Sequence, residues 1–342
     1  MRDLEISDRQ REILLKTLEL YVSTGAPVGS HALTEAVDAS SSTIRAELAH
    51  LESRGLLTHP HTSAGRVPTD AGYRYYVDAL MGRDARETTS FEAPQGYGNL
   101  DELLRGVSEG MSEVTRLLAV VAGPGALGDS LARVDYLPLP NGQLLLVVSM
   151  ESGASSSTTV TLPAYVEDEE LREIFAVLNS WLGGRPLGGD MELARAARQA
   201  LSDHDPLVVG AVLEAVGVLG RTTERGVFVR GASALLARLD ELDPASLAAV
   251  VEIFEHRRWL LRLMGEALRR SVSSSGVVVS IGAENAYYNL VGTSFVAAAY
   301  SHREQPYGVV SLIGPKRMDY DAAISTVRSA AEALTHRLNA GF

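Results

Sequence analysis

Apolar positions in the first eighty residues recur at helical spacing, broken by short polar turns. Ile13, Leu14, Leu18 and Tyr21 predict a helix running to about Thr24. Ser7 and Gln10 open it with the spacing of a capping box, in which each side chain bonds the other's backbone amide. Gly25-Ala26-Pro27 stops it, and Gly29-Ser30 starts a short second helix with Leu33 and Val37 on one face. After the turn Asp38-Ala39-Ser40 comes a third helix, capped by Ser40 or Ser41. Its buried stripe is Ile44, Leu48 and Leu51, and Gly55 ends it as a C-cap glycine. Leu56-Leu57-Thr58 and Val67 read as two short strands around a polar turn. Thr69 then caps a helix with Asp70 in its first turn, where the helix dipole favours an acid. Tyr73, Tyr76, Val77 and Leu80 share one face of that helix, as core packing or a helical dimer seam. Three helices, a hairpin and a further helix predict a winged helix-turn-helix over residues 1–82.

Residues 83–99 read as a linker, charged at first and then rich in Thr, Ser, Pro and Gly. Leu100 to Val121 has a helical apolar period through Leu103, Leu104, Val107, Met111, Val114, Leu117 and Leu118. Val134–Pro138, Gln143–Met150 and Thr158–Pro163 read as strands, with the hairpin loop Glu151–Ser157 between the last two. Glu169–Leu182, Met191–Leu201 and Pro206–Leu219 read as helices. A short strand (Arg225–Arg230), a short helix (Ala232–Leu239) and a long helix (Pro244–Ser271) follow. Val277–Ile281, Phe295–Ser301 and Tyr307–Ile313 return to strand, and Asp321–Leu338 closes as a helix. Strands on both sides of a helical stretch predict one α/β sheet domain carrying an insertion. The boundaries so predicted are 100–188 for the first part of the sheet domain, 189–250 for the insertion and 251–342 for the second part.

Composition narrows the function. The 342 residues carry no cysteine, which excludes disulfides, thiol catalysis and Cys-ligated zinc. The N-terminus is charged and lacks an apolar export core, and the longest nearly apolar run, Leu207–Gly220, is too short to span a membrane. A cytoplasmic protein with no membrane partner is expected. The net charge of −12 opposes non-specific binding to nucleic acid, and residues 1–82 hold 8 Lys/Arg against 11 Asp/Glu. Any DNA contact must therefore come from a few placed cations. Arg45, Arg66 and Arg74 fall in the predicted reading surface. Lysine occurs only at Lys16 and Lys316, and the preference for arginine runs along the whole chain.

The third helix has the features of a recognition helix. Ser42, Arg45, Ala46, Ala49 and His50 lie opposite its buried stripe, with Thr43 on the flank. A polar N-terminal end of this kind meets base edges in a major groove, and the backbone amides of Ser41 and Ser42 can hold a phosphate. In the hairpin turn, Thr62 and Ser63 can bond phosphates, Gly65 permits a positive φ, and Arg66 can enter a minor groove or meet the backbone. Several patterns point elsewhere and fail on chemistry. Gly123 to Gly128 matches a dinucleotide fingerprint, but that fingerprint needs a strand before it and the preceding segment has a helical period. His59-Pro60-His61 has no acid nearby to complete a metal site. Glu284-Asn285 and Met318-Asp319-Tyr320 resemble site material, yet polar residues at strand ends commonly bond loop backbone. Nothing forms a catalytic triad elbow or a nucleotide-phosphate loop, so no enzyme, cofactor or metal is expected.

The segments PVGS, SSTIRAELAHLESRGLL and PHTSAGRVPTDAGYRYYVDALM closely resemble the HrcA family of heat-inducible transcription repressors. Ile281–Asn285 and Ile313–Tyr320 resemble that family's C-terminal signatures. Ser42 and Ala46 depart from the usual recognition helix, which has Ala and Asn at those places. The resemblance implies a multi-domain α+β protein: an N-terminal winged helix-turn-helix, then a GAF-like α/β domain interrupted by a mainly helical inserted dimerisation domain. It further implies a homodimer on an inverted-repeat operator in double-stranded DNA, repression of heat-shock chaperone genes released by heat, and a GroE-type chaperonin as modulator. DNA contacts are expected from Ser41, Ser42, Thr43, Arg45, His50, Thr62, Ser63, Gly65 and Arg66. A metabolite-responsive winged-helix regulator, using a pocket in the GAF-like domain, is the alternative.

Overall fold

The computed structural model describes residues 6–60, 65–82, 91, 99–123, 130–151, 155–163, 165–185, 191–222, 226–237, 257–274, 276–288 and 291–341. The expected capping box of Ser7 and Gln10 opens α1 (Asp8–Thr24). α2 (Ser30–Leu33) and α3 (Ser41–Ser53) complete the helix-turn-helix. β1 (Leu57–Thr58) pairs antiparallel with β2 (Val67–Pro68), and Val28 adds a bridge to Arg66. Thr69 caps α4 (Asp70–Met81) by accepting from the Gly72 amide. Ile13, Leu14, Leu18, Leu33, Ile44 and Leu51 are fully buried among these elements. At about 1.5–3 kcal/mol per side chain relative to exposure, they hold the small unit together.

The second domain is built on a five-stranded antiparallel sheet. Its strands are β3 (Leu118–Ala122), β7 (Val227–Arg230), β8 (Val278–Ile281), β9 (Thr293–His302) and β10 (Gln305–Pro315), in the order β7-β3-β10-β9-β8. α5 (Leu100–Thr115) and α11 (Tyr320–Ala340) cover one face, and α10 (Arg257–Ser274) covers the other. The apolar core beneath α5 and α11 is continuous with that of the winged helix. A short helix, α9 (Ala232–Leu236), follows β7.

The periodic run from Leu100 to Val121 is not one helix. It ends at Thr115, Arg116 turns in the left-handed region at φ +53°, and the last residues form β3. An unbroken apolar run serves a helix or a doubly covered strand equally well. Here β10 and β7 pair with it on both sides. A strand therefore does precede Gly123. The dinucleotide reading fails at its other end, because the next described element is the strand β4 (Leu131–Leu139) rather than a helix.

The insertion also begins earlier than expected. β4, β5 (Gln143–Met150) and β6 (Ser155–Thr161) form a separate three-stranded sheet. α6 (Asp168–Leu182), α7 (Met191–Ala200) and α8 (Pro206–Thr222) pack on it around a core of their own. The expected boundary at 188/189 would cut that core between α6 and α7. The excursion instead leaves the main sheet after Ala122 and returns at Val227, where the Gly123 amide donates to the Gly226 carbonyl at 2.6 Å. The strands of 131–161 belong to the insertion, which carries a sheet of its own beside its helices. Strand alternation explains the misplacement. On β5, Leu144, Leu146, Val148 and Met150 are buried while their alternates are half-buried, the pattern of a sheet covered on one face, which local sequence cannot assign to either sheet. Residues 238–256, which include the end of the predicted short helix and the predicted start of the long helix at Pro244, lie outside the described residues.

Candidate nucleic-acid interface

Ser40 caps α3, accepting from the Thr43 amide at 3.2 Å. Its hydroxyl also lies 2.8 Å from that of Ser42 and 2.9 Å from that of Thr43. Ser41 turns its hydroxyl to Ser30 on α2 at 3.0 Å. A single seryl oxygen thus organises the leading turn of the helix and its neighbours' hydroxyls. Ser42, Arg45, Ala46, Ala49 and His50 are exposed, while Ser41 and Thr43 are half-buried. Ser40→Ala is expected to cost about 0.5–2 kcal/mol of winged-helix stability, read as a lower denaturation midpoint with unchanged slope.

The back of α3 is tied to its surroundings by acids. Glu47 accepts from Gln10 on α1 at 2.9 Å. Glu52 pairs with both His59 and Arg66, the latter at 2.8 Å. Arg66 therefore does not sit free at a loop tip. Its backbone is paired with Val28 by two hydrogen bonds, and its guanidinium lies on the recognition helix, largely covered. It couples the base of the wing to α3. Thr62 and Ser63 lie outside the described residues.

Gly65 is required for a different reason from the expected one. It has no positive φ. A Cβ there would meet the Val28 carbonyl carbon and oxygen at 2.5 and 2.6 Å. The backbones of the wing and the α1–α2 connection approach too closely for any side chain. Gly65→Ala is expected to force that bridge apart and cost about 1–3 kcal/mol. Thermal melting of the full chain checks it, with a wild-type melting temperature as the contrary result.

Arg74, expected on the reading surface, faces away from it. Its Nε and Nη2 make a two-pronged contact to Glu284 at 2.9 and 2.6 Å, and Nη2 also donates to the Val279 carbonyl at 2.8 Å. Burial by itself lowers the Arg74 pKa, but the bonds to Glu284 and Asp78 outweigh it and hold the guanidinium above its usual value. Tyr73 and Tyr76 are buried, in keeping with a packing role. Burial raises the Tyr73 hydroxyl well above the usual range, as it does for Tyr320 beside it.

The other site-like residues have structural partners. His59 is engaged by Glu52, and among the described residues no group of three His, Cys, Asp or Glu could hold a metal. Asn285 is buried and donates to the Ser280 and Thr293 carbonyls. Asp319 caps α11. The Glu52 pairings and the Arg74–Glu284 contact were missed in the sequence. Glu284 is 210 positions from Arg74, and no local pattern signals such a pair.

Two family models together match most of the chain. One, the HrcA winged helix-turn-helix transcription repressor DNA-binding domain, matches residues 5–78, and the other, the HrcA protein C-terminal domain, matches residues 101–324. The chain belongs to the HrcA family. A relative from Streptomyces avermitilis, called heat-inducible transcription repressor HrcA, is 33% identical over 95% of this chain and 97% of its own length. A relative of the same name from Beutenbergia cavernae is 34% identical, covering 97% of this chain and 99% of that protein. A solved crystal structure of a hypothetical protein shares the fold, with a TM-score of 0.63 and 23% identity over 99% of this chain and 100% of that one. The HrcA C-terminal model spans the insertion as well as the sheet domain, so both units are part of the family architecture.

Proposed function

We propose that this HrcA-family chain is a cytoplasmic transcription repressor of heat-shock chaperone genes, acting as a homodimer on an inverted-repeat operator and released by heat. The observation that carries it is the exposed Ser42–Arg45–His50 face of α3 in a winged helix matched by the family's DNA-binding model. Two such helices related by a two-fold axis would read two half-sites in successive major grooves. Ser41, Ser42, Thr43, Arg45 and His50 contact DNA from α3. Thr62 and Ser63 contact it from the wing, shaped by Gly65, with Arg66 setting the wing's angle. Dimerisation is assigned to the insertion. Leu137, Tyr165, Trp181, Leu207 and Val218 of that unit are exposed large apolar residues, whereas the described remainder contributes only Met81, Val114 and Val291. The concentration of exposed large apolar side chains in this one unit supports that assignment. No helix among the described residues is long and apolar enough to cross a membrane. A GroE-type chaperonin acts as a partner that maintains the active repressor. The metabolite-responsive alternative has no comparable support from relatives.

A footprint on DNA upstream of the chain's own operon, at growth and heat-shock temperatures, tests the proposal. Paired protections about one helical turn apart or a multiple of it, lost at the higher temperature and restored by added chaperonin, are expected. A single protection, or one indifferent to temperature, would contradict it.

A further inference from the structure

The two C-terminal segments Ile281–Asn285 and Gly314–Tyr320 meet on α4, the helix that follows the wing. Asp70, in the first turn of α4, accepts from the Ala283 amide at 2.8 Å and from Lys316 Nζ at 2.7 Å. One turn on, Arg74 takes Glu284 in its two-pronged contact and reaches the Val279 carbonyl. Glu284 is itself fixed, since the same carboxylate accepts from the Ile281 amide at 3.0 Å. Arg317 donates to the Val22 carbonyl at the end of α1. Tyr73 packs on Tyr320 with ring centroids 5.9 Å apart, and Tyr320 donates to the Lys316 carbonyl. Gly282 lies so close to Asp70 that a Cβ would come within 2.2 Å of its carboxylate.

These contacts differ from scattered surface ion pairs. The two charges on α4 are opposite in sign and each meets its complement: Asp70 meets lysine and amide, and Arg74 meets acid and carbonyl. A planar guanidinium held by two oxygens of one carboxylate fixes direction as well as distance. The apolar core continues beneath them. None of these side chains lies on the exposed face of α3.

We infer that Asp70, Arg74, Glu284, Lys316 and Arg317 are positioning residues that lock the winged helix to the sheet domain and thereby set the half-site spacing the repressor accepts. The inference rests on the dimeric reading above. In a dimer joined through another part of the chain, the separation of the two α3 helices depends on the angle at this junction. A locked junction restricts binding to one spacing. A loosened one accepts several, each less tightly, because tethered binding is strongest when the link matches the span.

The full-length chain can be tested in two ways. It has no cysteine, so Ala49→Cys on α3 and Glu332→Cys on α11 allow spin labels to be attached only where wanted. The wild-type background should give one narrow label-to-label distance within a chain, measured with labelled protein diluted into unlabelled. Arg74→Gln with Lys316→Gln should broaden it. Gel shifts then use synthetic duplexes carrying one footprinted half-site, or two in inverted repeat with the spacer changed one base pair at a time. Wild type should prefer one spacing by ten-fold or more over its neighbours. The double variant should lose that preference, while its half-site affinity stays within two-fold and circular dichroism shows the winged helix folded. Lys316→Gln alone, which leaves the arginine fork in place, should shift both readouts partway and guards against a double variant that unfolds. A narrow distance and sharp spacing retained in the double variant would overturn the inference. So would a parallel loss of half-site and full-site affinity in both variants, which signals only unfolding. A wild type with no spacing preference at all would remove the dimeric reading, and this inference with it.

Discussion

Excising residues 124–225 and joining Gly123 to Gly226 through a short Gly-Ser link is expected to leave a folded, DNA-binding monomer. The Gly123–Gly226 hydrogen bond brings the two ends together already, so the main sheet loses no strand. The removed piece carries its own core, and the remaining core of winged helix, α5, α11 and sheet is separate from it. If the insertion supplies the dimer contact, full-operator affinity should fall by about 10²–10⁴-fold as the second half-site ceases to be tethered. Half-site affinity should not change. Sedimentation of the shortened chain checks the premise directly, and a tight dimer there would move the dimer contact out of the insertion.

Arg45→Ala is expected to weaken operator binding by about 1–3 kcal/mol. Arg45 is exposed at the middle of the reading face, and among the described residues no ion pair holds it. In a chain of net charge −12, removal of such a cation is felt against a repulsive background. Arg66→Ala should cost less, because Glu52 already neutralises its guanidinium. Titrations at several salt concentrations separate the two modes. If Arg45 meets a phosphate, the slope of log affinity against log salt drops by about one charge. If it reads a base edge, specificity relaxes at one position with little change of slope. An unchanged affinity would place the reading face elsewhere.

Much of the winged helix was legible because its information is local. The Ser7–Gln10 box, the Ser40 cap, the stripe of Ile44, Leu48 and Leu51, and the Thr69 cap are each written within a few residues. The family signatures at residues 281–285 and 313–320 were visible as motifs, but their purpose was not. Glu284 and Lys316 gain meaning only when α4 lies against them. The helix drawn through Val121 and the misplaced insertion boundary share one cause. An apolar run between two sheets does not record which strands will flank it, and pairing over 190 positions decides. Gly65 does not adopt the positive-φ turn its position suggests. The need for a bare backbone came from Val28, more than thirty residues away. In general, caps and stripes could be read from the chain, whereas contacts that orient one unit on another could not.

The scarcity of lysine has a practical consequence for the junction at Asp70. An amine-reactive reagent has two side-chain targets in this chain. Lys16 lies on the α1 surface beside Glu19, three residues away. Lys316 is held by Asp70 across the junction. Their relative rates of modification, followed as temperature rises, form an internal gauge: Lys16 reports reagent and temperature, and any excess at Lys316 reports the winged helix coming away from the sheet domain. The unaltered chain thus carries its own thermometer readout, at single-residue resolution and with no substitution introduced.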